Sequence, residues 1–160
     1  MRILVVSDTH GDEQVLEELV ASQPEAQTVI HLGDGASEAQ AVADRFPDRT
    51  FYFVRGNCDW ASAARDIPLM REEKVAGKRI FFTHGHEYEV KRDFYRVVCA
   101  AKERNADVLL FGHTHVPLCE YDDGLYLLNP GSLSRGINRT YGIVDITRAG
   151  IAAHTAIFRR

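Results

Sequence analysis

The feature that most constrains this chain is a short apolar run that ends in a polar turn. Residues 3–6 read Ile-Leu-Val-Val, and Asp8 and His10 follow almost at once. A short run with β-branched residues is typical of a buried strand. Its end therefore brings a carboxylate and an imidazole, two residues apart, to the edge of a core. An extended chain can turn both side chains to one side, so the motif predicts a pair of metal ligands.

Composition sets the class of protein. The 160 residues suit one domain, predicted to span residues 1–160, and are enough for a substantial core. The net charge of −4 argues against a broad nucleic-acid-binding face. No apolar stretch reaches membrane-spanning length, and the N-terminus lacks the pattern of a signal peptide. Because Cys58, Cys99 and Cys119 form no C-x-x-C motif, we expect the reducing cytoplasm as the location.

The pattern of apolar residues predicts the order of strands and helices. In the first third of the chain, strands are expected at 3–6, 28–32 and 50–54, with helices at about 12–22 and 37–46. This alternation predicts a mostly parallel sheet. The later expected elements are a hairpin over 72–83, a helix at about 91–104, a strand at 108–111 and antiparallel pairs over 119–128 and 141–158. So many strands exceed one small sheet, and the predicted fold is α/β, a two-sheet α/β/β/α sandwich.

The polar turn after the first strand recurs after four more predicted strands. The residues that follow these five strands are Asp8, His10, Asp34, Asn57, His84, His113 and His115. Ligands of α/β folds bind outside the carboxyl ends of strands, and neighbouring glycines let a backbone turn sharply beside a ligand. Local hydrogen bonding in a turn would explain any single member. Five strand ends that offer only oxygen and imidazole ligands indicate one shared site.

The order and spacing of these motifs resemble the calcineurin-like metallophosphoesterase family, and most of all its small single-domain prokaryotic phosphodiesterases of the YfcE kind. The matching segments are 8–10, 33–34, 56–59, 83–86 and 112–115, with Asn-Pro-Gly-Ser at 129–132. The resemblance implies the sandwich fold and two divalent metal ions. One ion would be held by Asp8, His10, Asp34 and His115, and the other by Asp34, Asn57, His84 and His113. Ligands without a thiolate favour Mn²⁺, with Fe, Ni or Zn as alternatives.

The resemblance also implies an activity, the hydrolysis of a small phosphate ester by attack of a metal-bridging hydroxide on phosphorus. Asp34 and Asn57 would act in catalysis, and His86 would either line the pocket or hold His84 in place. A phosphodiesterase is the first expectation, with a phosphomonoesterase or a nuclease as alternatives. A non-catalytic protein-binding scaffold is a further one, because the small retromer subunit resembles the same fold. A membrane or a long nucleic acid is not expected as a partner; a homo-oligomer is compatible with the sequence.

One position departs from the family pattern. Many relatives have a histidine after the ligand asparagine, and it protonates the leaving oxygen; this chain has Cys58, followed by Asp59. A neutral thiol, with an ordinary pKa of about 8.5, is a poorer acid at pH 7 than an imidazolium. The general acid is therefore unassigned, and Cys58 is either a small packing residue or a regulatory thiol.

The remaining polar and aromatic residues near the motifs carry weaker expectations. His31 is expected in the core and His154 outside the site, whereas Arg135 and Arg139 are either surface residues or phosphate ligands. Trp60 and Tyr88 either stack on a substrate or pack against the protein.

Overall fold

Ten strands and three α-helices alternate in the part of the chain that the computed structural model describes, residues 1–60, 64–134, 136 and 138–159. In chain order they are β1 (Arg2–Val6), α1 (Glu13–Ser22), β2 (Ala26–His31), α2 (Ala36–Ala43), β3 (Thr50–Phe53), β4 (Met70–Val75), β5 (Lys78–Thr83), α3 (Tyr95–Glu103), β6 (Val108–Phe111), β7 (Leu118–Asp122), β8 (Leu125–Asn129), β9 (Arg139–Thr147) and β10 (Gly150–Phe158). None of the helices in these ranges has the length and apolar character needed to cross a bilayer.

The strands form two five-stranded mixed sheets. The first sheet has the order β10-β9-β1-β2-β3 and the second β4-β5-β6-β8-β7. Each sheet contains three adjacent parallel strands. They are β1, β2 and β3 in the first sheet and β5, β6 and β8 in the second. The other strands pair antiparallel, and they include the two late hairpins that the sequence predicts.

Three apolar layers explain why the parallel strands are apolar on both faces. Ile3 and Val5 point between the sheets, where they meet Phe82 and Leu110 of the second sheet. Their neighbours on β1 point outward and pack under α1 and α2. On the far side, the second sheet packs against α3. Strands buried on both faces lose the polar alternation of a half-exposed strand. The predicted α/β/β/α sandwich is confirmed.

The main departure from the predicted elements lies before α3. We expected a helix from about residue 91, but α3 begins at Tyr95. The segment between β5 and α3 contains a short 3₁₀ turn at His86–Tyr88, followed by Glu89 with a left-handed backbone (φ 55°). α2 also stops at Ala43, short of the expected residue 46. Periodic apolar residues mark a helix more reliably than they mark its ends.

Candidate metal centre

The carboxyl ends of five parallel strands bring the predicted residues together. Asp8 and His10 follow β1, Asp34 follows β2, and Asn57 follows β3 in the first sheet. The second sheet contributes His84 after β5, and His113 and His115 after β6. Backbone hydrogen bonds connect these loops: Asp8 N donates to Gly33 O at 3.0 Å, and Gly112 N donates to His84 O at 3.0 Å. The seven side chains therefore face one crevice at the edge shared by both sheets.

Asp8, His10 and His115 form the first of two ligand clusters. His115 Nε2 lies 2.9 Å from Asp8 Oδ1, and His10 Nε2 lies 3.4 Å from His115 Nε2 and 3.7 Å from Asp8 Oδ1. Asp8 is buried, whereas the two histidines are partly open to solvent. One ligand atom from each residue lies within 4.8 Å of the other two. That spacing suits a common ion.

Asp34, Asn57, His84 and His113 form the second cluster. His84 Nε2 lies 3.4 Å from Asp34 Oδ2, 3.2 Å from Asn57 Oδ1 and 3.2 Å from His113 Nδ1. His84 Nδ1 donates to the carbonyl oxygen of Leu32 at 2.8 Å, so this proton leaves Nε2 facing the crevice as an acceptor in the neutral ring. His86 lines the neighbouring cavity, and the Leu32 carbonyl holds the His84 ring.

Asp34 lies between the two clusters. Its Oδ2 is 3.4 Å from His84 Nε2 of the second cluster and 3.9 Å from His10 Nε2 of the first. Its Oδ1 accepts a hydrogen bond of 2.7 Å from the backbone N–H of Cys58, which fixes the carboxylate. One carboxylate is thus within reach of ions in both clusters, as a bridging ligand must be.

The charges of the crevice keep its carboxylates ionised and hold protons on two of its histidines. Burial opposes a charge on His84, but the hydrogen bond with Asp34 outweighs it and raises the pKa of His84. The hydrogen bond with Asp8 raises the pKa of His115. Burial alone would raise the pKa of Asp8, but the hydrogen bond from His115 and the charge of His84 hold it below its usual value. Asp34 behaves in the same way: burial opposes ionisation, and the contact with His84 outweighs it, so its pKa is also lowered. Burial, together with the charge of His84, lowers the pKa of His113 to about 4. Ionised carboxylates and neutral imidazole are the forms that coordinate a metal.

The backbone at the candidate ligands is strained. Asp8, His10, Asp34, His113 and His115 all have φ between 46° and 68°, the left-handed region that non-glycine residues rarely adopt. Such conformations cost about 1–3 kcal/mol each and cluster where a functional site over-determines the geometry. Local sequence gives no reason for five of them in one crevice. A shared ligand is a physical reason for the cost.

Glycine is required where two loops of the crevice touch. A Cβ on Gly56 would overlap Asp34 Oδ1 and lie 2.5 Å from the backbone nitrogen of Asp34. A Cβ on Gly112 would overlap the Ser7 hydroxyl and lie 3.1 Å from Asp8 Oδ2. The glycines beside the motifs therefore allow the strand ends to approach closely enough to share ligands.

Asp59 has a structural role that its sequence position did not reveal. Its Oδ2 accepts hydrogen bonds from the backbone N–H groups of Asp34 and Gly56, both at 2.8 Å. Its Oδ1 accepts from those of Gly35 and Ala36, both at 2.9 Å, at the start of α2. The carboxylate joins the loops that carry Asp34 and Asn57, and it caps a helix N-terminus, where negative charge is favoured. Asp59 is a positioning residue.

We expect Asp59→Asn to lower the free energy of unfolding by about 2 kcal/mol, because an amide NH₂ would face backbone donors that are left without an acceptor. Activity should fall with stability, since Asp34 loses its anchor. Urea unfolding followed by circular dichroism measures the change, with Asp48→Asn on the exposed surface as the matched control. Equal midpoints for both variants would show that the four hydrogen bonds contribute little.

A second set of buried polar residues supports the turn after β1. His31 Nδ1 accepts from the backbone N–H of Gly33 at 3.1 Å, which leaves His31 Nε2–H to donate to Thr9 Oγ1 at 3.2 Å. The Thr9 hydroxyl donates in turn to Glu38 Oε1 at 3.1 Å. Burial lowers the pKa of His31 and keeps it neutral. His31 is a satisfied core histidine, as expected, but its hydrogen bonds to Gly33 and Thr9 could not be predicted from the sequence.

The Asn-Pro-Gly-Ser turn after β8 supports both clusters from below. Asn129 Nδ2 donates to Gly112 O at 2.9 Å and to Thr114 Oγ1 at 3.0 Å, within the loop that carries His113 and His115. Ser132 Oγ donates to the carbonyl oxygen of Asp8 at 2.9 Å. The Ser7 hydroxyl also donates to Asp8 Oδ2. This turn orients the loops, and its side chains bond to protein atoms.

The structure also describes most of the polar and aromatic residues that carried weaker expectations. Arg139 pairs with Asp12 at 2.6 Å and its side chain is mostly buried, so it is not a solvated surface arginine; its alternative role as a phosphate ligand stays a prediction. Arg135 lies outside the described residues. Tyr88 packs edge-on against Phe81, with ring centroids 6.3 Å apart, and is a packing residue. His154 is exposed on β10, away from the site.

The chain has clear relatives. The calcineurin-like phosphoesterase superfamily domain matches residues 1–149. The probable metallophosphoesterase YsnB of Bacillus subtilis is 35% identical over 135 residues, which cover 83% of this chain and 75% of YsnB. Phosphodiesterase YfcE of Escherichia coli K12 is 32% identical over 171 residues, 91% of this chain and 88% of YfcE.

A structural comparison agrees on the fold. The structure of a Vps29 mutant from Entamoeba histolytica superposes with a TM-score of 0.74 and covers 99% of this chain and 100% of Vps29. At 19% identity this likeness concerns the fold alone. The match over residues 1–149, the two relatives above 30% identity and the clustered Asp and His residues lead to one conclusion. The chain belongs to the calcineurin-like phosphoesterase superfamily, a family of metal-dependent phosphoesterases that includes phosphodiesterases.

Proposed function

We propose that this protein is a dimetal phosphodiesterase that hydrolyses small phosphate esters. The observation that carries the proposal is the position of Asp34, within 3.9 Å of His10 and 3.4 Å of His84. Asp8, His10, Asp34 and His115 would hold one divalent ion, and Asp34, Asn57, His84 and His113 the other. The donor set fits such ions, because its close pairs join carboxylate, amide and imidazole atoms with no thiolate needed.

When bound, two divalent ions supply Lewis acidity and a water activated for attack at phosphorus. The chain supplies the placement and the charge. Asp8 and Asp34 offer two negative charges against four positive ones, so the crevice keeps a net positive charge that attracts an anionic phosphate. Asn57 adds an oxygen ligand without further negative charge. His86 lies beside Asn57 in the neighbouring cavity, where it can contact a substrate.

The identity of the ions and the location of the protein are part of the proposal. Oxygen and imidazole ligands favour Mn²⁺, with Fe, Ni and Zn as alternatives. Expression in the cytoplasm fits the three free cysteines, Cys58, Cys99 and Cys119. A homo-oligomer stays a prediction from the sequence.

A protein-binding scaffold is the second candidate, and the likeness to Vps29 favours it. The fold alone does not separate the two roles. Complete ligand clusters favour the enzyme, because a scaffold has no need for five strained residues around buried carboxylates.

The test is a substrate screen on protein reconstituted with Mn²⁺. We expect hydrolysis of bis(p-nitrophenyl) phosphate, a diester, at a higher kcat/KM than of p-nitrophenyl phosphate, a monoester. The matched control is His84→Ala, which removes one side chain from the second cluster. Preference for the monoester would make the protein a phosphomonoesterase. Equal rates for the wild type and His84→Ala would overturn the proposed site.

A further inference from the structure

A cavity of about 370 Å³ opens beside Asn57 on the side of the crevice that His86 faces. Its walls also include Arg55, Trp60 and Leu69. A smaller cavity of about 200 Å³ lies next to His10, Asp34 and Cys58, and Trp60 lines it as well. Trp60 therefore stands between two cavities that both adjoin the candidate metal ligands. A volume of this order holds a small-molecule substituent.

Trp60 is exposed in a way that packing does not explain. Its side chain is 85% exposed, although its backbone N–H is fixed by a hydrogen bond of 3.1 Å to Cys58 O. Tryptophan is a highly buried residue on average. A fixed backbone with a freely accessible indole is the arrangement expected of a stacking surface for a planar ligand. Of the two expected roles for Trp60, the structure favours stacking over packing.

The same cavity contains a cation-bearing wall residue, Arg55. Its guanidinium makes no hydrogen bond or ion pair with any residue in the described ranges. Other arginines place a guanidinium nitrogen 2.5–2.9 Å from a carboxylate oxygen: Arg2, Arg45, Arg71, Arg96, Arg104 and Arg139. Its backbone is anchored by a bond of 2.9 Å from Arg55 N to Pro68 O. The guanidinium is therefore available to bind an anion.

The two carboxylates that line the cavity with Arg55 bond to groups other than its guanidinium. Both oxygens of Asp59 accept backbone N–H groups. Glu87 faces His86 instead, with Glu87 Oε1 3.3 Å from His86 Nε2. Arg55 lines the same cavity as the candidate ligand Asn57.

We propose that this cavity binds the substituent of the phosphate ester, and that this substituent carries a planar aromatic ring and a second anionic group. Trp60 stacks on the ring and Arg55 pairs with the anion, in addition to the phosphate held at the metal ligands. A guanidinium binds a phosphate through two parallel hydrogen bonds. The ligand class that combines a ring with two separate anionic groups is a nucleotide with two phosphates. This inference rests on the proposed function for the position of the scissile phosphate.

Trp60 is the single tryptophan of the chain, so its fluorescence reports directly on the cavity. The probe is adenosine 3′,5′-bisphosphate, titrated into the full chain with and without Mn²⁺. We expect saturable quenching, with binding at least about tenfold tighter than that of adenosine 5′-monophosphate or of fructose 1,6-bisphosphate, since each lacks one recognised group.

Two variants assign the contacts. Arg55→Gln should lower the affinity for the bisphosphate about tenfold and change the affinity for the monophosphate less than about twofold, as expected for the loss of one charged pair. The affinity of Arg55→Lys for the bisphosphate should lie between those of the wild type and Arg55→Gln, because lysine keeps the charge but lacks the planar guanidinium. Arg148→Gln, in the turn between β9 and β10, is the matched control and should bind as the wild type does. Thermal unfolding confirms that each variant is folded.

The binding test separates this inference from the proposed function. Quenching that depends on Arg55, in a protein that hydrolyses no ester, would support the cavity and overturn the phosphodiesterase. Hydrolysis of esters by a protein whose Trp60 fluorescence is unchanged by the bisphosphate would support the phosphodiesterase and overturn the proposed ligand of the cavity. Equal affinities for the bisphosphate and the monophosphate would also overturn the role of Arg55.

Discussion

Asp34→Asn is expected to lower kcat/KM for a phosphodiester by more than about 100-fold, while the protein stays folded. Loss of a residue that merely orients a metal ligand typically costs 10–100-fold in metal affinity or activity. Asp34 would contact both ions and carries half of the carboxylate charge of the crevice, so its loss should exceed that range. The measurement is kcat/KM at saturating Mn²⁺ together with the amount of bound metal.

The fold should survive this change, because asparagine has the same shape and keeps an Oδ1 atom. That atom can still accept the hydrogen bond of 2.7 Å from the backbone N–H of Cys58. Asp48→Asn, on the exposed surface, controls for the loss of one charge. A loss of less than about tenfold in the Asp34 variant, with two ions still bound, would refute its bridging role.

The second large effect concerns the leaving group. Aryl phosphodiesters should be cleaved about 10²–10⁴-fold faster than alkyl ones, the range that general acid catalysis ordinarily contributes. Cys58 stands where the family resemblance leads us to expect a proton-donating histidine. Burial and the hydrogen bond to Asp34 raise the pKa of its thiol to about 11, which makes it a weak acid. Asp59 is occupied by four backbone donors and does not substitute for it.

Cys58→His should narrow the gap by raising the rate on alkyl esters, since the Cys58 sulfur lies within 4.8 Å of ligand atoms of His10 and Asp34. The test is a series of leaving groups with kcat/KM measured for both proteins. Cys99→Ser, in α3 away from the crevice, is the control for loss of a thiol. A flat series in the wild type would mean that another group already donates the proton, and His86 would be the first residue to replace.

The sequence predicts which residues gather in the crevice because their signal is local. Each is a polar residue directly after a short apolar strand, and parallel strands in two facing sheets bring such positions to one edge. The same logic predicts the two hairpins. The predicted start of α3, at about residue 91, is four residues too early, because apolar periodicity marks a helix more reliably than its first residue.

Long-range partners explain what could not be predicted. Asp59 bonds to the backbone of residues 34–36, so its role depends on the approach of two loops. Arg139 finds Asp12 across 127 positions of the chain. The exposure of Trp60, and the guanidinium of Arg55 that has no partner among the described residues, are likewise properties of the assembled surface. Residue type alone is compatible with several roles for each of these residues.

The crevice is proposed to work with two ions. The most direct test removes all metal by chelation, then adds Mn²⁺ stepwise and measures bound metal by elemental analysis and the rate on bis(p-nitrophenyl) phosphate in the same samples. We predict no activity in the metal-free protein and full activity only when about two ions are bound per chain. Full activity without detectable metal, or saturation with a single ion, would contradict the account.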